Sequence, residues 1–221
     1  MIDESKIIIR PAKLSDTEFI ANTIVEAEKS NTDKLGTANC FEITEEEYRQ
    51  YVIQMLEEEV DGCELSLSSF LVVEYEGEPI AASAGWIEGD NEDDMPSALI
   101  KSNLYGYFLP KENLLKGARK SDIIKGIQID REAGTYQLEN SFTKPEFRGH
   151  HLRRMLEKAH MDRAKEKGVK KVQTHVFINN ESSIRGCQNN GFTIVKQYVS
   201  THPLTKELYP GDTLVLMERE L

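Results

Sequence analysis

Between Tyr136 and Leu156 the chain reads Tyr-Gln-Leu-Glu-Asn-Ser-Phe-Thr-Lys-Pro-Glu-Phe-Arg-Gly-His-His-Leu-Arg-Arg-Met-Leu, a strand pattern, a Lys144-Pro145 turn, and a basic loop entering an amphipathic helix. A strand that feeds a helix through a glycine-containing basic loop aims backbone N–H groups and a positive dipole end at one spot. Such a spot receives a phosphorylated ligand. The competing reading of Arg148, Arg153 and Arg154 is an ordinary basic first turn of a surface helix. Cations at a helix start oppose the dipole, however, and that mismatch favours an anionic partner. A second segment with chemical content runs from Val172 to Phe192 and carries His175, Asn180 and Cys187. The adjacent His150 and His151 diverge, and no carboxylate or cysteine completes a ligand pattern, so no metal site is expected.

The elements that must position these residues follow from periodicity. Ile7–Ile9 is a buried-strand signal. Ser15-Asp-Thr-Glu18 and Thr44-Glu-Glu-Glu47 are capping boxes, each opening a helix with apolar residues at helical spacing. Phe70–Tyr75 and Ile80–Ile87 flank a Gly77-containing turn and predict a hairpin. Helices are expected over 97–108 and 111–125, then a central strand over 135–143, a helix from Gly149 to Gly168 and a strand over 172–178. A short helix at 181–190 and strands at 191–200 and 212–220 complete the chain. The order predicts a mixed α/β (α+β) fold with a partly antiparallel sheet flanked by helices. Residues 88–132 read as a helical insertion before the central strand, within one domain spanning 1–221. A dinucleotide-binding domain is disfavoured, because the phosphate loop comes late and no GxGxxG follows an early strand.

Composition narrows the partners. The formal net charge of −11, with acidic runs at 45–47, 57–59 and 90–94, disfavours nucleic acid and anionic membranes. Three widely spaced cysteines (Cys40, Cys63 and Cys187) without a CxxC suggest a reducing compartment, and no segment has the length of a membrane span. The expectation is a cytoplasmic, soluble protein.

Together these features resemble the GNAT superfamily of acyl-CoA N-acyltransferases. The family's motif Arg/Gln-x-x-Gly-x-Gly/Ala aligns with Arg148, Gly149, His150, His151, Leu152 and Arg153. Its second signature, Asn followed by a helix and Gly-Phe, aligns with Asn180 and Gly191-Phe192. Element order agrees over nearly the whole chain apart from the insertion. Two departures stand out. Both motif glycines are replaced, by His151 and Arg153, and Cys187 stands where many members carry a catalytic tyrosine.

The resemblance implies that the loop backbone from Arg148 to Arg153 holds the pyrophosphate of acetyl-CoA. Ser141, Phe142 and Thr143 would pair with the pantetheine arm at a strand bulge, and Asn180 would complete the cofactor-binding set. His151 and Arg153 suit this loop if their φ values stay negative and their side chains turn outward. Acyl transfer to an amine also needs a base. Two candidates lie on adjacent strands: Glu139, sharing a face with Gln137, Ser141 and Thr143, and His175, sharing one with Gln173 and Phe177. His175 lies five residues before Asn180, where some members place a catalytic glutamate, and an imidazole suits proton transfer near neutrality. Cys187 is a candidate acid for the departing thiolate, set against the commoner role of a small buried hydrophobe. Tyr198, Tyr209 or solvent could serve instead.

The implied activity is an acetyl-CoA-dependent N-acetyltransferase working by direct attack of a small-molecule or peptide amine in a ternary complex. A non-catalytic acyl-CoA-binding sensor and a purely structural interaction domain are the alternatives. A second copy of the chain, as a homodimer, is left open.

Overall fold

A computed structural model of the chain describes residues 2–58 and 60–221. Its elements, in chain order, are β1 (Ile7–Pro11), α1 (Thr17–Lys29), α2 (Gly36–Phe41), α3 (Glu45–Leu56), β2 (Phe70–Tyr75) and β3 (Glu78–Ile87). There follow α4 (Ser97–Phe108), α5 (Lys111–Arg119), α6 (Ser121–Ile124), β4 (Tyr136–Thr143), α7 (Leu152–Glu166) and β5 (Lys171–Phe177). The chain closes with α8 (Glu181–Asn189), β6 (Thr193–Val199), α9 (Thr205–Leu208) and β7 (Thr213–Glu220). The strands form one seven-stranded sheet in the order β1-β2-β3-β4-β5-β7-β6. Every pairing is antiparallel except β4 with β5.

Two apolar layers sandwich this sheet. On one face Ile20, Ile24, Tyr48, Val52 and Met55 of α1 and α3 pack on Phe70, Val72, Ala82 and Ala84. On the other, Leu152 and Leu156 of α7 cover Leu71, Val73, Ile80 and Ala81, and Met161 and Ala164 cover Tyr136 and Leu138. The small side chains at Ala81, Ala82 and Ala84 let helices approach both faces of β3. The capping box at Thr44 forms as expected: Thr44 Oγ1 accepts the Glu47 N–H at 3.1 Å, and the Glu47 carboxylate accepts the Thr44 N–H at 2.7 Å.

Several expectations are corrected. The Ser15–Glu18 capping box does not form, because Ser15 lies inside a 3-10 turn over Leu14–Asp16 and α1 is preceded by Asp16. The Asp16 carboxylate takes Arg10 at 2.6 Å and folds back on the Lys13 N–H. Ile7–Ile9 is half-buried rather than buried, since β1 is an edge strand and Ile8 faces solvent. The helix expected over 111–125 breaks at Lys120 into α5, α6 and a 3-10 turn at Lys125–Ile127. There Gly126 lets the chain pass the end of β6, where a Cβ would run into the Val199 carbonyl. Helix α2, less than two turns long, has no periodic signature in the sequence.

Beneath the central strands lies one buried imidazole. His160 of α7 approaches the Ser83 carbonyl at 3.1 Å through Nε2 and the Tyr136 hydroxyl at 2.8 Å through Nδ1. A carbonyl only accepts, so Nε2 carries the proton and Nδ1 accepts from Tyr136. Burial pushes the His160 pKa down to about 3, against a weak opposing pull from Ser83.

Candidate active site

The central opening in the sheet begins at one backbone irregularity. Asn140 sits at φ +47, and the β3–β4 register jumps there, with Ala84 opposite Glu139 and Ala82 opposite Phe142. Two residues of β4 therefore oppose Ser83 alone, which is a β-bulge. Beyond Gln137 the two parallel strands separate, and only Tyr136–Val172 and Gln137–Gln173 remain paired. The β5-facing backbone of 138–143 is left without ladder partners, and a cavity of about 900 Å³ opens between the strands. The bulge also corrects the expected face pattern. Glu139 shares its face with Phe142 rather than with Ser141 and Thr143, because the extra residue inverts the alternation.

Glu139 and His175 meet across this opening. His175 Nδ1 lies 2.9 Å from Glu139 Oε1, and the imidazole is almost fully buried. A carboxylate only accepts, so Nδ1 carries the proton, and in the neutral ring Nε2 presents a lone pair. That Nε2 has no partner among the described residues. The ring of Tyr198 packs 6.1 Å from that of His175, and the Tyr198 hydroxyl donates to the Asp130 carbonyl.

Behind Glu139 the charges continue inward. Arg131 Nη2 stands 3.6 Å from Glu139 and 3.8 Å from Glu64, and Lys101 bonds Glu64 at 2.5 Å. The Arg131 guanidinium also stacks over Trp86, 5.2 Å from the ring centroid. Burial opposes ionisation of Glu64, but Lys101 and Arg131 overcome it and hold the carboxyl at about 2. Burial likewise opposes the charge on Arg131, and Glu64 and Glu139 raise its pKa in spite of it. Sequence reasoning missed Glu64, Lys101 and Arg131. A signal existed for Lys101, a cation between Ile100 and Leu104 on the buried side of α4. For Arg131 and Glu64 no local pattern distinguishes them from surface residues.

At the mouth of the cleft stands the loop into α7. Gly149 takes φ +86 and His151 φ +57, the left-handed region in both cases. The expectation of negative φ at His151 is thus corrected: the residue keeps the backbone shape that suits glycine. Leu152 turns its side chain into the core, leaving its N–H on the loop side. Arg153 also departs from expectation. Its side chain turns inward, bonding Glu157 at 2.8 Å and Cys187 Sγ at 3.0 Å, because α8 packs beside it. Arg148 and Arg153 line the cleft, while His150 lies in the loop outside it. On the far side of the same helix start a second cavity, about 560 Å³, is lined by His151, Arg154, Lys158 and Arg219 and by no carboxylate.

The remaining candidates occupy different settings. Ser141, Phe142 and Thr143 line the cleft, as does Asn180. Asn180 caps α8 by accepting the Ser183 N–H and ties it to α1 through Ser30 and Asn31. Cys187 is buried behind Arg153, and burial raises its thiol pKa although Arg153 pulls the other way. Tyr209 bonds Cys40 Sγ at 3.0 Å.

The left-handed His151 yields a stability prediction. That backbone costs a non-glycine residue about 1–2 kcal/mol, and glycine gives back about 0.5–1 kcal/mol in chain entropy. His151→Gly should therefore stabilise by about 0.5–1 kcal/mol, raising Tm by roughly 1–4 °C in a chain of this size. A melting temperature lowered by the substitution would show that the histidine side chain holds the loop.

Comparison with known proteins places this geometry. The chain shares its fold with an N-acetyltransferase from Staphylococcus aureus Mu50, at TM-score 0.68 and 16% identity, over 96% of this chain and 100% of the other. A polyamine N-acetyltransferase of Drosophila melanogaster aligns at TM-score 0.58 and 12% identity, over 97% and 100%. A ribosomal-protein-alanine N-acetyltransferase from Brucella melitensis aligns at 0.53 and 15%, over 97% and 99%. No curated protein matches the sequence significantly. No helix among the described residues is long and apolar enough to cross a membrane. Residues 35–192 match the acetyltransferase (GNAT) family, and with that match over most of its length the chain belongs to that family.

Proposed function

We propose that this N-acetyltransferase uses acetyl-CoA as donor and passes the acetyl group to a primary amine by direct attack within a ternary complex. The observation that carries the reading is the His175–Glu139 pair: His175 lines the cleft that the Asn140 bulge opens, and its buried Nε2 has no partner among the described residues. The residues present fit the donor. The first turn of α7 offers free N–H groups to a pyrophosphate, and Arg148 and Arg153 line the same cleft. The basic cavity beside that turn adds positive potential on a chain of net charge −11. The unpaired backbone of 138–143 suits an amide-bearing pantetheine arm.

When bound, acetyl-CoA supplies an electrophilic thioester carbonyl and a thiolate leaving group. His175 Nε2 takes the proton of the incoming amine. Glu139 fixes the tautomer through Nδ1 and stabilises the imidazolium that forms, as the carboxylate of a hydrolase triad does. Arg131 holds Glu139 in place from behind. Cys187 is shielded from the cleft by Arg153, so we assign the proton of the departing thiolate to solvent.

Coenzyme A at about 100 times its Kd should stabilise the fold by about 2.7 kcal/mol, which raises Tm by roughly 5–10 °C. Arg148→Ala should weaken that shift, and less so at high salt. Release of free thiol with an amine panel then tests turnover. Coenzyme A binding without thiol release on any amine would instead favour a sensor, and no thermal shift at millimolar acetyl-CoA would remove the donor assignment.

A further inference from the structure

Three side chains of the cleft, exposed by only 11% (Glu64), 6% (Arg131) and 1% (His175), each leave one polar atom without a partner among the described residues. They are Glu64 Oε2, Arg131 Nε and His175 Nε2. Leaving such an atom dry is unfavourable, because its lost hydration is not replaced. His175 Nε2 is the proton acceptor described above. The other two belong to neighbouring residues, with Arg131 Nη2 3.8 Å from Glu64 Oε1, and both residues line the cleft.

The polarity of these two atoms is fixed. Lys101 and Arg131 keep Glu64 ionised, so Oε2 can only accept. A guanidinium does not deprotonate in a protein, so Nε can only donate. A group that satisfies both must offer one acceptor to Arg131 and one donor to Glu64. A carboxylate would satisfy Arg131 but face Glu64 and Glu139. A second ammonium would satisfy Glu64 but face Arg131 and Lys101. The four charges of Lys101, Glu64, Arg131 and Glu139 already cancel, so the subsite calls for a neutral group. Glu28, another carboxylate of this wall, is already engaged by the Thr37 N–H at 3.0 Å and by the Thr37 hydroxyl. A carboxamide offers the required pair in one plane.

We propose that the acceptor is an α-amino amide, an amine next to a neutral amide group, whose oxygen accepts from Arg131 Nε and whose N–H donates to Glu64 Oε2. The inference rests on the acetyl-transfer reading and names the substrate class of that same site. Arg131 stands 3.6 Å from Glu139, which bonds His175 Nδ1, so an amide at Arg131 keeps the attached amine in the cleft that His175 also lines. An aminoacyl amide and a peptide N-terminus share this chemistry.

The test compares four amines of similar size: glycinamide, glycine, 1,2-diaminoethane and isobutylamine. Rates are expressed as kcat/KM per free amine, which removes their different basicities. Glycinamide should exceed each of the others by about 10- to 100-fold, the range for losing one or two hydrogen bonds to charged groups. A second readout is independent of turnover. Trp86 is the sole tryptophan and lies under Arg131. With coenzyme A bound, glycinamide should change its emission saturably, and isobutylamine should not. Glu64→Gln exchanges the free acceptor for a donor, and should raise the glycine-to-glycinamide ratio by about 10-fold, while a retained coenzyme A thermal shift certifies the fold. Triglycine amide against glycinamide separates the two sources, a gain marking a peptide N-terminus and a loss a small amide. Preference for glycine or the diamine, or four rates within threefold, would overturn the inference while leaving acetyl transfer intact. Absence of both acetylation and a coenzyme A shift would overturn the transfer reading, and this inference with it.

Discussion

Glu139→Gln and His175→Ala are each expected to lower kcat by about 10²–10³-fold with a good acceptor, within the range for a positioned general base. The reason is the shared bond. His175 Nδ1 donates to Glu139 at 2.9 Å, and this bond both selects the tautomer with Nε2 free and supports the charge that arrives there. Glutamine at 139 can present its amide N–H to Nδ1, which would move the imidazole proton to Nε2 and remove the base. Alanine at 175 removes it outright. Neither residue lies on the loop into α7, so coenzyme A affinity should change little and the loss should appear in kcat rather than in donor binding. Because the two act as a unit, the double variant should be scarcely slower than the worse single one. Steady-state kinetics with coenzyme A calorimetry on the three variants decides. Near wild-type turnover in both single variants would take this pair out of the mechanism.

Acidification should destabilise the protein steeply, and His160 should account for much of the slope. Its folded pKa is pushed down to about 3 by burial, while an unfolded histidine titrates near ~6.5. Above pH ~6.5 the group is neutral in both states and contributes no pH dependence. Below it the unfolded chain binds a proton that the folded chain refuses, so stability falls by about 1.4 kcal/mol per unit down to the folded value. Between pH 6.5 and 4.5 that amounts to about 2.3 kcal/mol. The site would be affected too, since His160 holds the carbonyl of Ser83, the residue of β3 that the bulge skips. Urea unfolding at several pH values should give His160→Gln a lower stability at pH 7.5 and a shallower fall below 6.5. Parallel pH slopes in variant and wild type would exclude His160 as the source.

Much of this architecture is legible in the residues, for reasons that are local. The capping box at Thr44, the hairpin around Gly77, and the strand–loop–helix from Tyr136 to Leu156 are written in neighbouring residues. Their partners lie within a few positions. Asp16 shows where such reading stops. The Ser15–Glu18 capping pattern is present, but Leu14–Asp16 closes as a 3-10 turn instead, with Arg10 of β1 holding Asp16. The bulge is the same kind of case, since strand alternation predicts one face for Glu139 and a single positive φ at Asn140 reassigns the residues around it.

By itself, then, the sequence determined the order of the strands and longer helices, the family, the strand–loop–helix from Tyr136 to Leu156, and Glu139 and His175 as separate candidates. These depend on periodicity, turn chemistry and short motifs, all of which act over a few residues. Only the tertiary structure decided that the two candidates touch, that Cys187 is shielded by Arg153, and that Glu64, Lys101 and Arg131 form a buried chain of charges behind them. Apart from Arg131 and Glu139, eight positions apart, such contacts join residues 34 to 67 positions apart. They are set by how two faces of a bulged sheet close on helices, a geometry that short-range pattern does not encode.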